Sequence, residues 1–397
     1  MKIVDLRCAL IGRHPIVRIV TDAGIDGFGQ IEHYKPFLKP QVLMYRDALI
    51  GEDPTLVERV MLKIRQRGGF KPWGSGVSAI EHALWDIAGK AAGVPVHKLL
   101  GGKVRDRVRV YNGAARERLT SFEPADYARN TRQMIERPEG FTIVKQPIAF
   151  HSPMKKRAGF YYGEPSTSPF HGALDRGVLT EQGLKHIVAC VAAMKEVTGD
   201  AVGLALDCGP GFAVQDAIRL AQALAPFNLL WLEDLLTGDY IPYVNADVYR
   251  EVTRVAATPI HTGEQIYLRQ NYKALIEGHA VNVVGPDPCD VGGIAELKWI
   301  AEYADLHGIQ MAPHGTGNGL LGLAALVQVS STLPHNFIAF EYPVGEQPWW
   351  YDIVEGLPDP IVVDGHITVW DRPGMGVGFI VAKAKAHLAA EDAGFFD

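Results

Sequence analysis

The stretch VGLALDCGPG (residues 202–211) runs through mostly apolar residues and then delivers Asp207 with no turn signal before it. A short apolar run bounded by Gly and Pro reads as a buried strand of a parallel sheet. A single carboxylate at the end of such a strand has bland explanations, as a helix cap or half of an ion pair. Recurrence of the event along the chain carries more weight.

Seven further runs have the same form: RVRVYNG (107–113), FTIVKQP (141–147), LLWLEDL (229–235), PIHTGEQ (259–265), VNVVGPD (281–287), IQMAPHG (309–315) and FIAFEYP (337–343). Between them lie amphipathic segments such as TEQGLKHIVACVAAMKEVTG and GIAELKWIAEYADLHG, with apolar residues returning every three or four positions. Eight strands alternating with helices predict an α/β fold, a (β/α)7β barrel of the triosephosphate isomerase type, over residues 107–370. The spacing is regular except after the second strand, where residues 148–178 are rich in Pro, Gly, Ser and aromatics. This stretch reads as an insertion over the barrel mouth.

Residues 1–106 differ in texture. IVRIVTDAGIDGFGQIEHY gives two strand-like runs about a Gly/Asp turn, and SAIEHALWDIAGKAAG a strong helix with a Gly stop, which together predict a separate α+β capping domain. Residues 371–397 are expected to pack back toward it.

Composition narrows the function. Of 397 residues, 47% are hydrophobic, and 39 basic against 45 acidic residues leave a net charge of -6, without the basic excess that a nucleic-acid backbone demands. Four scattered cysteines form neither a disulfide framework nor a zinc motif. The N-terminus has no signal-peptide pattern, and no run approaches a membrane span, so a cytoplasmic protein with no membrane partner is expected.

The last polar residues of the eight strands are Asn112, Lys145, Asp207, Glu233, Glu264, Asp287, His314 and Glu341. In such a barrel the carboxyl ends of the strands converge on one face. Asp207, Glu233 and Glu264 then lie on three consecutive strands, and three uncompensated carboxylates repel. A hard divalent cation, Mg²⁺, is the expected relief. His314 sits among glycines in PHGTGNG with Asp287 on the preceding strand to orient its imidazole, and Lys145 stands ready to neutralise a carboxylate or move a proton. A cation among carboxylates with a histidine base suits proton abstraction alpha to a carboxylate.

At these residues the chain resembles the enolase superfamily, mandelate racemase/muconate lactonizing branch, whose use of a Lys or His base with Mg²⁺ is a worked case of acid–base tuning. SAIEHALWDIAGKAAGVPVHKLLGG (78–102) is similar to the signature of the family's capping domain, and Asp207, Glu233 and Glu264 look like its metal ligands. PDPCDVGGI and APHG supply its Asp-His dyad, and Glu341 matches its eighth-strand acid. Two positions depart from the family. Pro147 replaces the second lysine of Lys-x-Lys, and Gly209 stands where several sugar-acid dehydratases carry a histidine.

The insertion, with FYYGEP, resembles that of mannonate dehydratase and makes Arg157, Tyr161 and Tyr162 loop candidates, with Tyr161 and Tyr162 catalytic; His33, Tyr34 and Trp73 of the cap are expected to bind substrate. The resemblance implies Mg²⁺-dependent dehydration of a sugar acid, with His314 as both base and acid, by a homo-oligomer. The alternatives are a racemase, epimerase or cycloisomerase, and a non-catalytic metabolite-binding protein.

Overall fold

Three antiparallel strands, β1 (Ile3–Ile11), β2 (His14–Thr21) and β3 (Gly27–Gln30), open the chain and carry the helix Ser75–Ala92 across one face. Close approach decides the glycines here: a Cβ at Gly29 would fall 1.9 Å from the Ala79 carbonyl oxygen, so any side chain would push the helix off the sheet. The helix ends at Gly93 in the left-handed conformation (φ 67°), the expected Gly stop. The computed structural model describes residues 1–67, 74–165, 178–236, 244–315, 317–343 and 347–397.

The strands of the second domain fall within the runs read from the sequence: β4 (Arg107–Tyr111), β5 (Ile143–Pro147), β6 (Gly203–Asp207), β7 (Leu232–Glu233), β8 (Ile260–Thr262), β9 (Val283–Val284), β10 (Gln310–Met311) and β11 (Phe340–Glu341). β5 to β10 form one parallel sheet in chain order, and β11 pairs in parallel with β4. Isolated parallel bridges at Asn112–Val144 and Met311–Phe337 link β4 to β5 and β10 to β11 in a barrel-like domain. A helix follows each of β4 to β10.

The polar residues of the helix Ser75–Ala92 explain why the cap seats where it does. Glu81 accepts from the backbone N–H of Ile294 and Ala295 (both 3.0 Å), the free donors that begin helix Ile294–Leu306. Ser78 Oγ accepts from Gly292 N–H (2.9 Å). Asp86 accepts from Phe28 and Met375 N–H, tying β3 and the C-terminal segment to one helix.

Beyond the barrel-like domain, β12 (Val354–Glu355) pairs with β14 (Gly378–Phe379), and β13 (His366–Thr368) lies antiparallel to β4. The final residues return to the cap: Leu10 N–H donates to Asp392, and Arg18 to the Phe395 carbonyl. Among the described residues no helix is long and apolar enough to cross a membrane.

Candidate active site

Tyr111, Ile143, Ala205, Trp231, Val283, Ala312 and Ala339, one from each of seven strand regions, form a small buried cluster. Strand side chains alternate with period two, so a residue two positions on points to the same side, one layer nearer the carboxyl end. Ile143 is thus followed by Lys145, Ala205 by Asp207, Trp231 by Glu233, Ala312 by His314 and Ala339 by Glu341. The apolar layer floors the site and the backbone register sets its polar layer. The register also pairs Asp207 directly with Glu233.

Lys145 Nζ lies 2.6 Å from Glu233 Oε1 and 3.4 Å from Glu341 Oε2. The other Glu233 oxygen accepts from Trp231 Nε1 (2.9 Å). His314 Nδ1 is 2.6 Å from Asp287 Oδ2, while its Nε2 faces Glu264 (3.2 Å) and Glu341 (3.4 Å). The second Asp287 oxygen is engaged by Cys289 N–H (2.7 Å) and Asn318 Nδ2 (2.9 Å), so the carboxylate that grips the imidazole is itself fixed.

The electrostatics follow from burial and charge. Burial works against a charged imidazole at His314, but Glu264, the Asp287 hydrogen bond and Glu341 outweigh it and hold the pKa well above the ordinary value. Burial opposes the Lys145 ammonium too, and Glu233 and Glu341 keep it charged. Glu264 and Asp287 are pushed up by desolvation.

Glu233, Asp234 and Glu264 each offer an oxygen within 4.8 Å of the others. All three donors are hard carboxylate oxygens, which fits a hard cation and not a soft one. The grouping differs from the expected trio in one member. Asp234, at φ 52°, presents a carboxylate beside Glu233, while Asp207 Oδ1 lies 3.0 Å from His151 Nδ1. Asn112, the strand-end residue of β4, turns away to bond Ala115 at both ends of its amide.

The loop candidates lie elsewhere. Tyr161 is buried in an aromatic cluster with Phe150 and Phe160, its hydroxyl donating to the Glu164 carbonyl; Tyr162 is 72% exposed, and Arg157 pairs with Glu123. Among the described residues no hydrogen bond, ion pair or ring contact joins these three to the strand-end carboxylates. The cap reaches the site through Tyr34, whose hydroxyl occupies the space a Cβ at Gly317 would need; His33 packs edge-on against Tyr34 (4.4 Å). Trp73 lies outside the described residues.

Besides Asp234, three features escaped the sequence reading. Lys35 bridges the cap and the second domain, 2.7 Å from both oxygens of Asp290 and 2.5 Å from Glu32, whose pKa burial and Asp290 push up to about 8. Trp231 was legible, since the two-residue period puts it under Glu233. His151 follows β5 in a 3₁₀ turn (Ala149–His151), where no strand period predicts direction.

Residues 12–101 match the mandelate racemase/muconate lactonizing enzyme N-terminal domain and residues 127–382 the enolase C-terminal domain-like family. The chain belongs to the enolase superfamily, mandelate racemase/muconate lactonizing branch. Within this superfamily it is 32% identical to a D-xylonate dehydratase from Haloferax volcanii, covering 98% of this chain and 89% of that protein. It is 29% identical to a D-galactonate dehydratase from Variovorax paradoxus (95% and 92%), and 28% identical to a D-galactarolactone cycloisomerase from Agrobacterium fabrum (92% and 88%).

Among solved structures, a mandelate racemase/muconate lactonizing enzyme-like protein from Rubrobacter xylanophilus superposes with a TM-score of 0.82 at 30% identity over 98% of both chains. An enolase from Agrobacterium radiobacter bound to sodium and L-malate gives 0.78 at 28% identity over 97% and 95%. The curated relatives named above are dehydratases and a cycloisomerase, and the chain is an enzyme of their superfamily.

Proposed function

We propose that this protein is a Mg²⁺-dependent sugar-acid dehydratase, a lyase that converts a 2,3-dihydroxy acid to a 2-keto-3-deoxy acid. The observation that carries the reading is the His314–Asp287 pair, clamped at Nδ1 and presenting Nε2 to the buried carboxylates. Residues 1–106 act as the cap, and β4 to β11, joined by their bridges, as a closed (β/α)7β barrel from 107 to 370.

Asp207, Glu233 and Glu264 would hold Mg²⁺, with Asp234 close by; when bound, it would supply positive charge for the substrate carboxylate and for the charge that develops on deprotonation. Asp287 holds the Nδ1–H of His314, and in the neutral form of the ring Nε2 is the edge that takes the C2 proton. Lys145 keeps a positive charge beside the enediolate oxygens. Tyr34 and His33 close the cap side of the pocket over the polyol and exclude water. Loss of the 3-hydroxyl gives an enol that tautomerises to the ketone.

Purified protein with Mg²⁺, screened against aldonic and aldaric acids with semicarbazide, is expected to yield a 2-keto product that EDTA abolishes and added Mg²⁺ restores. No product from any sugar acid, or product indifferent to EDTA, would sink the reading. The cycloisomerase among the relatives favours a second reading, isomerisation, which exchange of the C2 proton with D₂O without a 2-keto product would select.

A further inference from the structure

The dehydration proposed above needs a proton for the departing 3-hydroxyl, since hydroxide is a poor leaving group. Family dehydratases with a histidine two residues past the first metal ligand have that group on the third strand. Here the position is Gly209, and the fold leaves no room for a substitute: a Cβ at 209 would stand 1.4 Å from the Asp234 carbonyl oxygen.

The space near Gly209 nevertheless holds an imidazole, supplied by another segment. After β5 the chain crosses toward β6, with Ile148 N–H donating to the Asp207 carbonyl (2.8 Å) and Phe150 N–H to that of Cys208 (3.1 Å). These bonds set the 3₁₀ turn that delivers His151. Its Nδ1 lies 3.0 Å from Asp207 Oδ1 and 3.2 Å from the Gly209 carbonyl oxygen. A carbonyl only accepts, so Nδ1 carries a proton, and the reactive edge of the ring is Nε2. The side chain is one-fifth exposed (20%), which gives it a route to solvent protons.

We infer that His151 is the general acid of the reaction, taking the place of the missing third-strand histidine. The inference rests on the dehydration reading. His314 at the end of β10 and His151 above β5 and β6 stand on strands separated by β7, β8 and β9 in the sheet order, so base and acid work from different sides of the mouth. The C2–H bond breaks, its proton goes to His314 Nε2, and its electron pair forms the C2–C3 double bond. The C3–O bond breaks with its pair, and the oxygen takes a proton from His151 Nε2 and leaves as water. Solvent then reprotonates His151, and the enol ketonises: the proton held by His314 is released as one is delivered to C3, and the C2 hydroxyl proton passes to solvent.

A leaving-group comparison tests this. His151→Asn keeps a donor where Nδ1 stood, to hold Asp207, but has no proton to release at the position of Nε2; His151→Gln is the second variant if the first fails to fold. Native protein and variant are compared on the best substrate from the screen and on its 3-fluoro analogue, whose fluoride departs with far less need of an acid. Mn²⁺ binding is measured alongside.

The expected result is a loss of water elimination of roughly 10²- to 10⁴-fold. Fluoride elimination should stay within about tenfold of native, and C2–H exchange in D₂O and Mn²⁺ affinity should be retained. An equal loss for both leaving groups would make His151 a support for Asp207, and no loss would remove it from the reaction; either overturns the inference and leaves the dehydratase reading standing. A native protein that dehydrates no sugar acid overturns both.

Discussion

The strand ends and the insertion after β5 are equally rich in residues that do chemistry, yet they use them differently. Lys145, Asp207, Glu233, His314 and Glu341 each stand two residues beyond a member of the apolar floor, so parallel hydrogen bonding fixes their direction before any side-chain contact is made. Arg157, Tyr161 and Tyr162 have no such constraint. Their segment satisfies itself, Tyr161 against Phe150 and Phe160 and Arg157 against Glu123. The contrast teaches that backbone register selects the site residues, and residue type alone does not.

The contrast can be broken at either end. The largest expected effect is at Glu233, which meets Lys145 through one oxygen and Trp231 through the other. Glu233→Gln should lower kcat/KM by roughly 10³-fold and weaken Mn²⁺ binding, read by steady-state kinetics and electron paramagnetic resonance titration with far-UV circular dichroism as the fold control. Native-like kinetics would separate this carboxylate from the metal. The smallest effect is at Tyr162, exposed at 72%. Tyr162→Phe should leave kcat and KM within about twofold and the melting temperature unchanged, as surface substitutions generally do. A kcat loss of tenfold or more would show that the insertion moves over the mouth during turnover, and the contrast would then describe only the resting protein.

The same physics sets how much was legible in advance. Strand positions and the carboxylate, Lys145 and His314 positions follow from period two and from strand ends meeting at one face, both properties of sequence order. The Asp287–His314 contact was legible for the same reason, since the two residues end adjacent strands. Asp234 was not, because its left-handed backbone (φ 52°) breaks the alternation that would send it away from Glu233. His151 was hidden by a 3₁₀ turn, and the Lys35–Asp290 link by the 255 positions that separate its two residues, one in each domain. The loop tyrosines were misleading for a related reason: resemblance located the insertion, but the packing inside it depends on aromatic contacts that no short-range pattern encodes.

The most direct test of the central claim follows the C2 proton. Mg²⁺-loaded native protein and His314→Asn are incubated in D₂O with the sugar acid found by the screen and observed by proton NMR, with Mn²⁺ binding of the variant measured in parallel. The expected result is a 2-keto-3-deoxy product from the native protein, and from the variant neither product nor loss of the C2–H signal, with the metal still bound. A variant that still makes product or exchanges the C2 proton at near-native rates would contradict the assignment of His314 as the base, and with it the reading of the strand ends as one catalytic constellation.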